Sequence, residues 1–66
     1  MKNGVYQLTQ ACELPFGIKF NAGQEIEIVT NVVYVGGFPL QPEMQAPILN
    51  WLKNNETKLK NVTRNW

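Results

Sequence analysis

The 66-residue chain has no histidine, no aspartate and no serine, and Cys12 is its single cysteine. These absences exclude a Ser/His/Asp or Cys/His catalytic set and a zinc site built from Cys and His ligands. One cysteine cannot form an intramolecular disulfide, which is the usual support of small secreted domains. The composition therefore predicts no enzyme activity, no metal site and no cofactor, and it favours Cys12 as a small buried hydrophobe.

Long hydrophobic runs are also missing. The longest apolar stretch is Val32–Val35, whereas a transmembrane helix needs ~20 apolar residues. The N-terminus does not resemble a signal peptide. We therefore expect no membrane partner and synthesis in a reducing cytoplasm.

The chain has no large excess of charge of either sign, since its net charge is +1. Its distribution is uneven, since two lysines and four glutamates give −2 over residues 1–50. Three lysines, one arginine and one glutamate give +3 over residues 51–66. The pattern predicts one small domain over residues 1–54, followed by a basic tail over residues 55–66.

Alternation of apolar and polar residues predicts short β-strands, of which residues 24–30 form the clearest. There Ile26 and Ile28 point to one side, and Glu25 and Glu27 point to the other. A strand face with two carboxylates meets water, so the isoleucines are expected in the core. The two glutamates have no third acidic neighbour in sequence, and a solvated face is expected rather than a cation site or an acid–base pair.

Other segments with strand character are separated by turns. Gly36-Gly37 is a tight-turn signal, and Pro39 cannot donate to a ladder, which places its segment at a sheet edge. The remaining strands are predicted within residues 4–13, 18–20, 32–35 and 38–40.

After residue 42 the apolar period becomes helical, with Ile48, Trp51 and Leu52 on one side. Because Pro42 and Pro47 are tolerated only near a helix start, we expect one turn at 43–46 and a helix over 47–54. So short a helix must pack on the sheet. The expected fold is mostly β: a small SH3-like barrel or curled antiparallel sheet of four to five strands with one C-terminal helix.

Two segments carry a resemblance to SH3-like barrels. Residues 20–29, FNAGQEIEIV, place an aromatic residue before a glycine turn and an alternating strand, and residues 37–40, GFPL, resemble the Gly-x-x-Pro edge of eukaryotic SH3 domains. The resemblance implies a small β-barrel. It does not imply a polyproline groove, because Trp51 and Trp66 lie beyond the sheet and no tryptophan follows the central strand.

Three segments make the chain similar to short, poorly characterised proteins of large tailed bacteriophages. They are LPFG at 14–17, VVYVGGFPLQP at 32–42 and TRNW at 63–66. This resemblance implies a viral origin, and we expect a location in the virion after synthesis in the host cytoplasm.

Residues 32–40 are apolar on both strand faces, which is more than so small a domain can bury. Trp66 is a large aromatic at the end of a polar segment, where it either docks on a partner or folds back into the domain. We therefore expect a protein–protein building block, an accessory decoration, neck or tail-associated protein that contacts other virion proteins or copies of itself. The predicted partner-binding residues are Val33, Tyr34, Val35, Phe38, Leu40 and Trp66.

Two alternative functions remain open. One is a small phage-encoded regulator that binds a host protein or nucleic acid through the barrel face and the basic tail. Its possible polyanion contacts are Lys53, Lys58, Lys60 and Arg64, and its possible stacking residues are Tyr6, Phe16, Phe20, Tyr34 and Phe38. The other is a module that adds an extended peptide at the edge formed by residues 32–40.

Overall fold

The structure is a computed structural model that describes residues 1–63, and Arg64, Asn65 and Trp66 lie outside the described residues. Strands account for 37% and helices for 30% of this part of the chain, which confirms a mostly-β fold with one α-helix. The elements are β1 (Gly4–Leu8), β2 (Cys12–Glu13), a 3₁₀ turn (Pro15–Gly17), β3 (Lys19–Phe20), β4 (Glu25–Val29), β5 (Val32–Val35), β6 (Phe38–Pro39), α1 (Pro42–Asn54), a second 3₁₀ turn (Glu56–Lys58) and β7 (Leu59–Asn61).

Five strands form one antiparallel sheet in the order β6-β5-β4-β1-β7, and β2 pairs with β3 in a separate hairpin. Within residues 1–63, β6 and β7 are the two edges of the main sheet and do not pair with each other. Of the two predicted forms, a small barrel or a curled antiparallel sheet of four to five strands, the structure shows the sheet, with five strands and two unpaired edges among residues 1–63.

Two-residue turns join β4 to β5 and β5 to β6. Gly36 and Gly37 have φ values of 62° and 85°, and Thr30 and Asn31 have φ values of 49° and 62°. Positive φ at both central residues defines the type I′ turn, whose twist matches that of the strands it connects. The glycine turn was predicted, whereas Thr30 was expected in a strand and lies in a turn instead.

The core lies between one face of the sheet and α1. Ile26 and Ile28 of β4 point to this face, as predicted, and they are fully buried. Because side chains alternate along a strand, every second residue of β1, β4, β5 and β7 contributes to it. The buried cluster consists of Leu14, Ile26, Ile28, Val33, Ile48 and Leu52, with Trp51 partly buried against it.

The helix is longer than expected. It begins at Pro42 and continues through Pro47, so the break expected after residue 46 was wrong. Pro42 occupies the first helical position, where no N–H is needed. Pro47 removes one intrahelical hydrogen bond, to the carbonyl of Glu43. The burial of Ile48 and Leu52 on the sheet outweighs that local loss.

The sheet continues beyond the domain boundary expected at residue 54. β7 pairs antiparallel with β1, with Lys60 opposite Gln7 and Leu59 opposite Leu8. Leu59 also packs against the core cluster. Residues 59–61, which the charge pattern assigned to a tail, are therefore an edge strand of the domain, and α1 is not the last element.

Candidate interaction surface

The face of the main sheet turned away from α1 is here called the outer face. Its side chains alternate with those of the core cluster along each strand, and the strand registers place them in rows across the sheet. Its members are Val5, Gln7, Glu25, Glu27, Val29, Val32, Tyr34, Lys60 and, directly after β7, Val62.

Apolar side chains make up much of the outer face. Val29 is 41% exposed, and Val5, Val32, Tyr34 and Val62 are half-buried. A solvated face of an antiparallel sheet normally carries polar residues at such positions. Apolar side chains gathered on one exposed face of a small protein mark a candidate site of interaction.

A cleft of about 240 Å³ opens on this face beside the β5–β6 turn. Glu27 lies directly opposite Tyr34 on one side and Val5 on the other. A Cβ added at Gly36 or Gly37, which both line the cleft, would meet no atom within 4 Å. The lining residues are Val5, Gln24, Glu25, Glu27, Tyr34, Gly36 and Gly37.

The chemistry of this cleft suits a cationic side chain. Carboxylates accept charge-assisted hydrogen bonds from an ammonium or guanidinium group. An aromatic ring such as that of Tyr34 attracts the same charge, and valine provides apolar surface for the aliphatic stem. Glu25 and Glu27 share one strand face, as predicted, and they are half-buried rather than fully solvated.

One row of the outer face has an ordered charge pattern. Gln7 of β1 lies opposite Glu25 of β4 on one side and opposite Lys60 of β7 on the other. The row therefore reads acidic, neutral, basic across three neighbouring strands. We refer to Glu25, Gln7 and Lys60 as the charged row.

The predicted partner-binding residues differ in how much of their surface the structure leaves exposed. Val33 has no exposed surface and cannot touch a partner in this fold. Val35 and Leu40 are half-buried against the core cluster. Tyr34 lines the cleft, and Phe38, at the β6 edge, is 76% exposed. Trp66 lies outside the described residues.

Residues 32–40 were expected to leave an apolar strand uncovered. In the structure both edges of β5 are occupied, whereas β6, within the same segment, is an edge strand of the sheet. β4 and β6 flank β5. Beyond the end of β6, the side chain of Gln45 makes the hydrogen bonds that a neighbouring strand would make. The Val33 N–H donates to Gln45 Oε1 at 2.7 Å, and Gln45 Nε2 donates to the carbonyl oxygens of Val33 at 3.1 Å and Leu40 at 2.9 Å. This side-chain amide replaces a strand, so the geometry gives no support to peptide addition at β5.

The lysines proposed for polyanion binding do not share one element. Lys53 is in the last turn of α1, Lys58 ends a 3₁₀ turn and Lys60 is in β7. Arg64 lies outside the described residues.

The candidate stacking aromatics are likewise dispersed. Tyr6 and Phe20 pack against the core cluster, whereas Tyr34 lies on the outer face. Phe16, in the first 3₁₀ turn, is 59% exposed. These positions do not form one stacking platform.

Few reactive or metal-ligating side chains remain among residues 1–63. Cys12 is half-buried opposite Phe20 in the β2–β3 hairpin. Among residues 1–63, no group of three or more His, Cys, Asp or Glu side chains is placed to hold a metal ion. Within the same range, no helix has both the length and the apolar character that crossing a membrane requires.

Comparison of the chain with protein-family models, with curated proteins and with solved structures finds no match. The interaction surface is therefore defined by its own geometry. Sequence patterns did not identify Val5 and Gln7 on this face or Gln24 beside its cleft, because their positions depend on which strands pair. The one available signal was the alternation that set Glu25 and Glu27 apart from the core.

Proposed function

We propose that the protein is a non-enzymatic protein–protein building block that binds its partner through the outer face of the sheet. The observation that carries the proposal is the combination of apolar and oppositely charged side chains on that face, with Val29 41% exposed. Apolar surface next to complementary charge is typical of a protein interface. Pro39, directly opposite Tyr34, continues the outer face onto β6, whereas Phe38 is opposite the core-facing Val35 and lies on the α1 side of the sheet.

The setting we propose is an accessory structural role in a phage virion. It rests on the resemblance of residues 14–17, 32–42 and 63–66 to short phage proteins. A building block present in many copies gains from a high local concentration, which strengthens weak contacts without adding new ones.

Two measurements on purified virions of the source phage test the function. Quantitative mass spectrometry should find the chain in many copies per particle. Hydroxyl-radical footprinting should then show Tyr34 protected in the particle relative to the isolated chain. Phe16 is a matched control, because it is exposed but lies on the first 3₁₀ turn.

Absence of the chain from virions would reject the structural role. Equal labelling of Tyr34 in particle and free chain would reject the outer face as the interface. If the chain is absent from virions and instead binds nucleic acid in a salt-dependent manner, as seen by a change in electrophoretic mobility, the alternative function as a phage-encoded regulator would be favoured.

A further inference from the structure

We propose that a second copy of this chain binds the outer face, in a two-fold dimer in which Lys60 of each copy enters the cleft of the other. The inference rests on the proposed function and names its partner. The observations behind it are the charged row, the cleft and the strand order of the sheet.

The charged row is self-complementary about β1. Glu25 and Lys60 lie one strand away from Gln7 on opposite sides, in the same row. A two-fold axis along β1, between two sheets packed face to face, superposes β4 of one copy on β7 of the other. Each Glu25 then faces Lys60 of the second copy, and the contact occurs twice, as an isologous interface requires.

Axes along the other two strands of the charged row are unfavourable. An axis along β4 would set Glu25 against Glu25 and Glu27 against Glu27, and an axis along β7 would set Lys60 against Lys60. Like charges placed opposite each other across an interface disfavour association. Of the three strands that carry the charged row, β1 is therefore the one that suits the axis.

The central strand suits the position on the axis. Gln7 of the two copies would meet there, and a primary amide can donate to and accept from its symmetry mate. Val5, in the next row of the outer face, would meet Val5 of the second copy. Face-to-face sheets pack ~10 Å apart, a separation that inward-pointing side chains from both copies fill.

The cleft provides the matching site for Lys60. Glu25 and Glu27 line it with the ring of Tyr34, and Val5 lies beside Glu27 in the register. Lys60 is exposed on the outer face, so its ammonium group is accessible to a second molecule. Ammonium, carboxylates and aromatic ring combine a charge-assisted hydrogen bond with a cation–π contact.

Sedimentation velocity of the purified chain over a range of concentrations tests the dimer. The wild type should show a reversible monomer–dimer equilibrium that weakens as salt is raised, because charge pairs at an accessible interface are screened. Glu25→Lys and Lys60→Glu should each weaken dimerisation about tenfold to hundredfold, since each sets like charges against each other. Lys53→Glu on α1 is the matched control, with the same charge change away from the outer face, and it should dimerise as the wild type does.

Charge exchange separates the interface from any effect on folding. An equimolar mixture of Glu25→Lys and Lys60→Glu should form heterodimers, because position 25 of each then faces the opposite charge at position 60 of the other. A wild type that stays monomeric at every concentration, or a mixture that does not associate, would overturn the dimer. If Tyr34 is nevertheless protected in virions, the building-block function stands and its partner is a different protein.

Discussion

A single side chain, Gln45, completes the hydrogen bonding of β5 on the side where β6 ends. Its amide contacts the N–H and the carbonyl of the buried Val33 and the carbonyl of Leu40. Gln45→Ala removes the acceptor of the buried Val33 N–H, while the Val33 carbonyl still accepts from the Leu40 N–H. A buried unsatisfied group costs about 1–3 kcal/mol. We expect the free energy of unfolding in urea to fall by about 2 kcal/mol or more.

Gln41 offers a matched control for that substitution. It precedes α1, is exposed and makes no capping hydrogen bond with its side chain. Gln41→Ala should therefore leave the urea midpoint almost unchanged. Equal midpoints for the two alanine variants would show that Gln45 does not support β5.

A close approach between Gly4 and Thr63 holds the segment after β7 against β1. Thr63 Oγ1 accepts a hydrogen bond from the Val5 N–H at 3.0 Å and donates one to Asn61 Oδ1 at 2.6 Å. Gly4 has a φ of 156°, and a Cβ added there would collide with Thr63 Oγ1. We expect Gly4→Ala to lower stability by about 1–3 kcal/mol, as overpacking does.

A double-mutant cycle with Thr63→Gly isolates this contact, since neighbouring residues are energetically coupled. Gly4→Ala should cost clearly less in the Thr63→Gly background than in the wild type, measured by thermal unfolding of all four proteins. Additive losses would mean that Gly4 is needed for its backbone conformation alone.

Among the elements, the two hairpin turns differ in how well their residues fit. Thr30 has a φ of 49°, which is unfavourable for a β-branched residue, whereas Gly36 and Gly37 adopt positive φ without strain. Asn-Gly is the preferred sequence for a type I′ turn. We expect Thr30→Asn combined with Asn31→Gly to raise the unfolding free energy by about 0.5–1 kcal/mol.

The same measurement has a control in the other hairpin. Gly36→Val places a β-branched residue at a φ of 62° and should lower the thermal midpoint. A stabilised Gly36→Val variant, or a destabilised Asn-Gly variant, would contradict the assignment of both connections as type I′ turns.

Elements defined by local signals were predictable from the sequence. Alternation identified β4 with its buried Ile26 and Ile28, and two glycines identified the β5–β6 turn. Elements decided by tertiary contact were not. α1 passes through Pro47 because burial on the sheet outweighs one lost hydrogen bond, and β7 has three residues, too few for a period.

The candidate site was predictable only in part, for the same physical reason. The outward direction of Glu25 and Glu27 follows from alternation along one strand. The charged row requires knowing that β1 lies between β4 and β7, and strand order is not a local property. The burial of Val33 likewise depends on α1 and on Gln45, 12 residues away in sequence.

For the whole molecule, small size and self-association are linked. A domain of about 60 residues buries only ~60% of the surface of its unfolded chain and is marginally stable. Binding that involves the folded state alone adds RT ln(1 + [L]/Kd) to its stability. A dimer formed through the outer face would therefore compensate for a small core, and the compensation would grow with protein concentration.

The thermal midpoint measures this compensation directly. At a free concentration about ten times Kd, the added stability is roughly 1.4 kcal/mol, which for so small a domain is a shift of about 5–10 °C. We expect the midpoint of the wild type to rise with protein concentration and the rise to shrink as salt screens the pairing of Glu25 with Lys60. Lys60→Glu should show a clearly smaller rise over the same concentration range, and Lys53→Glu should follow the wild type. If the thermal midpoint of the wild type does not depend on protein concentration, a second copy does not stabilise the folded chain. The partner of the outer face would then be a different protein.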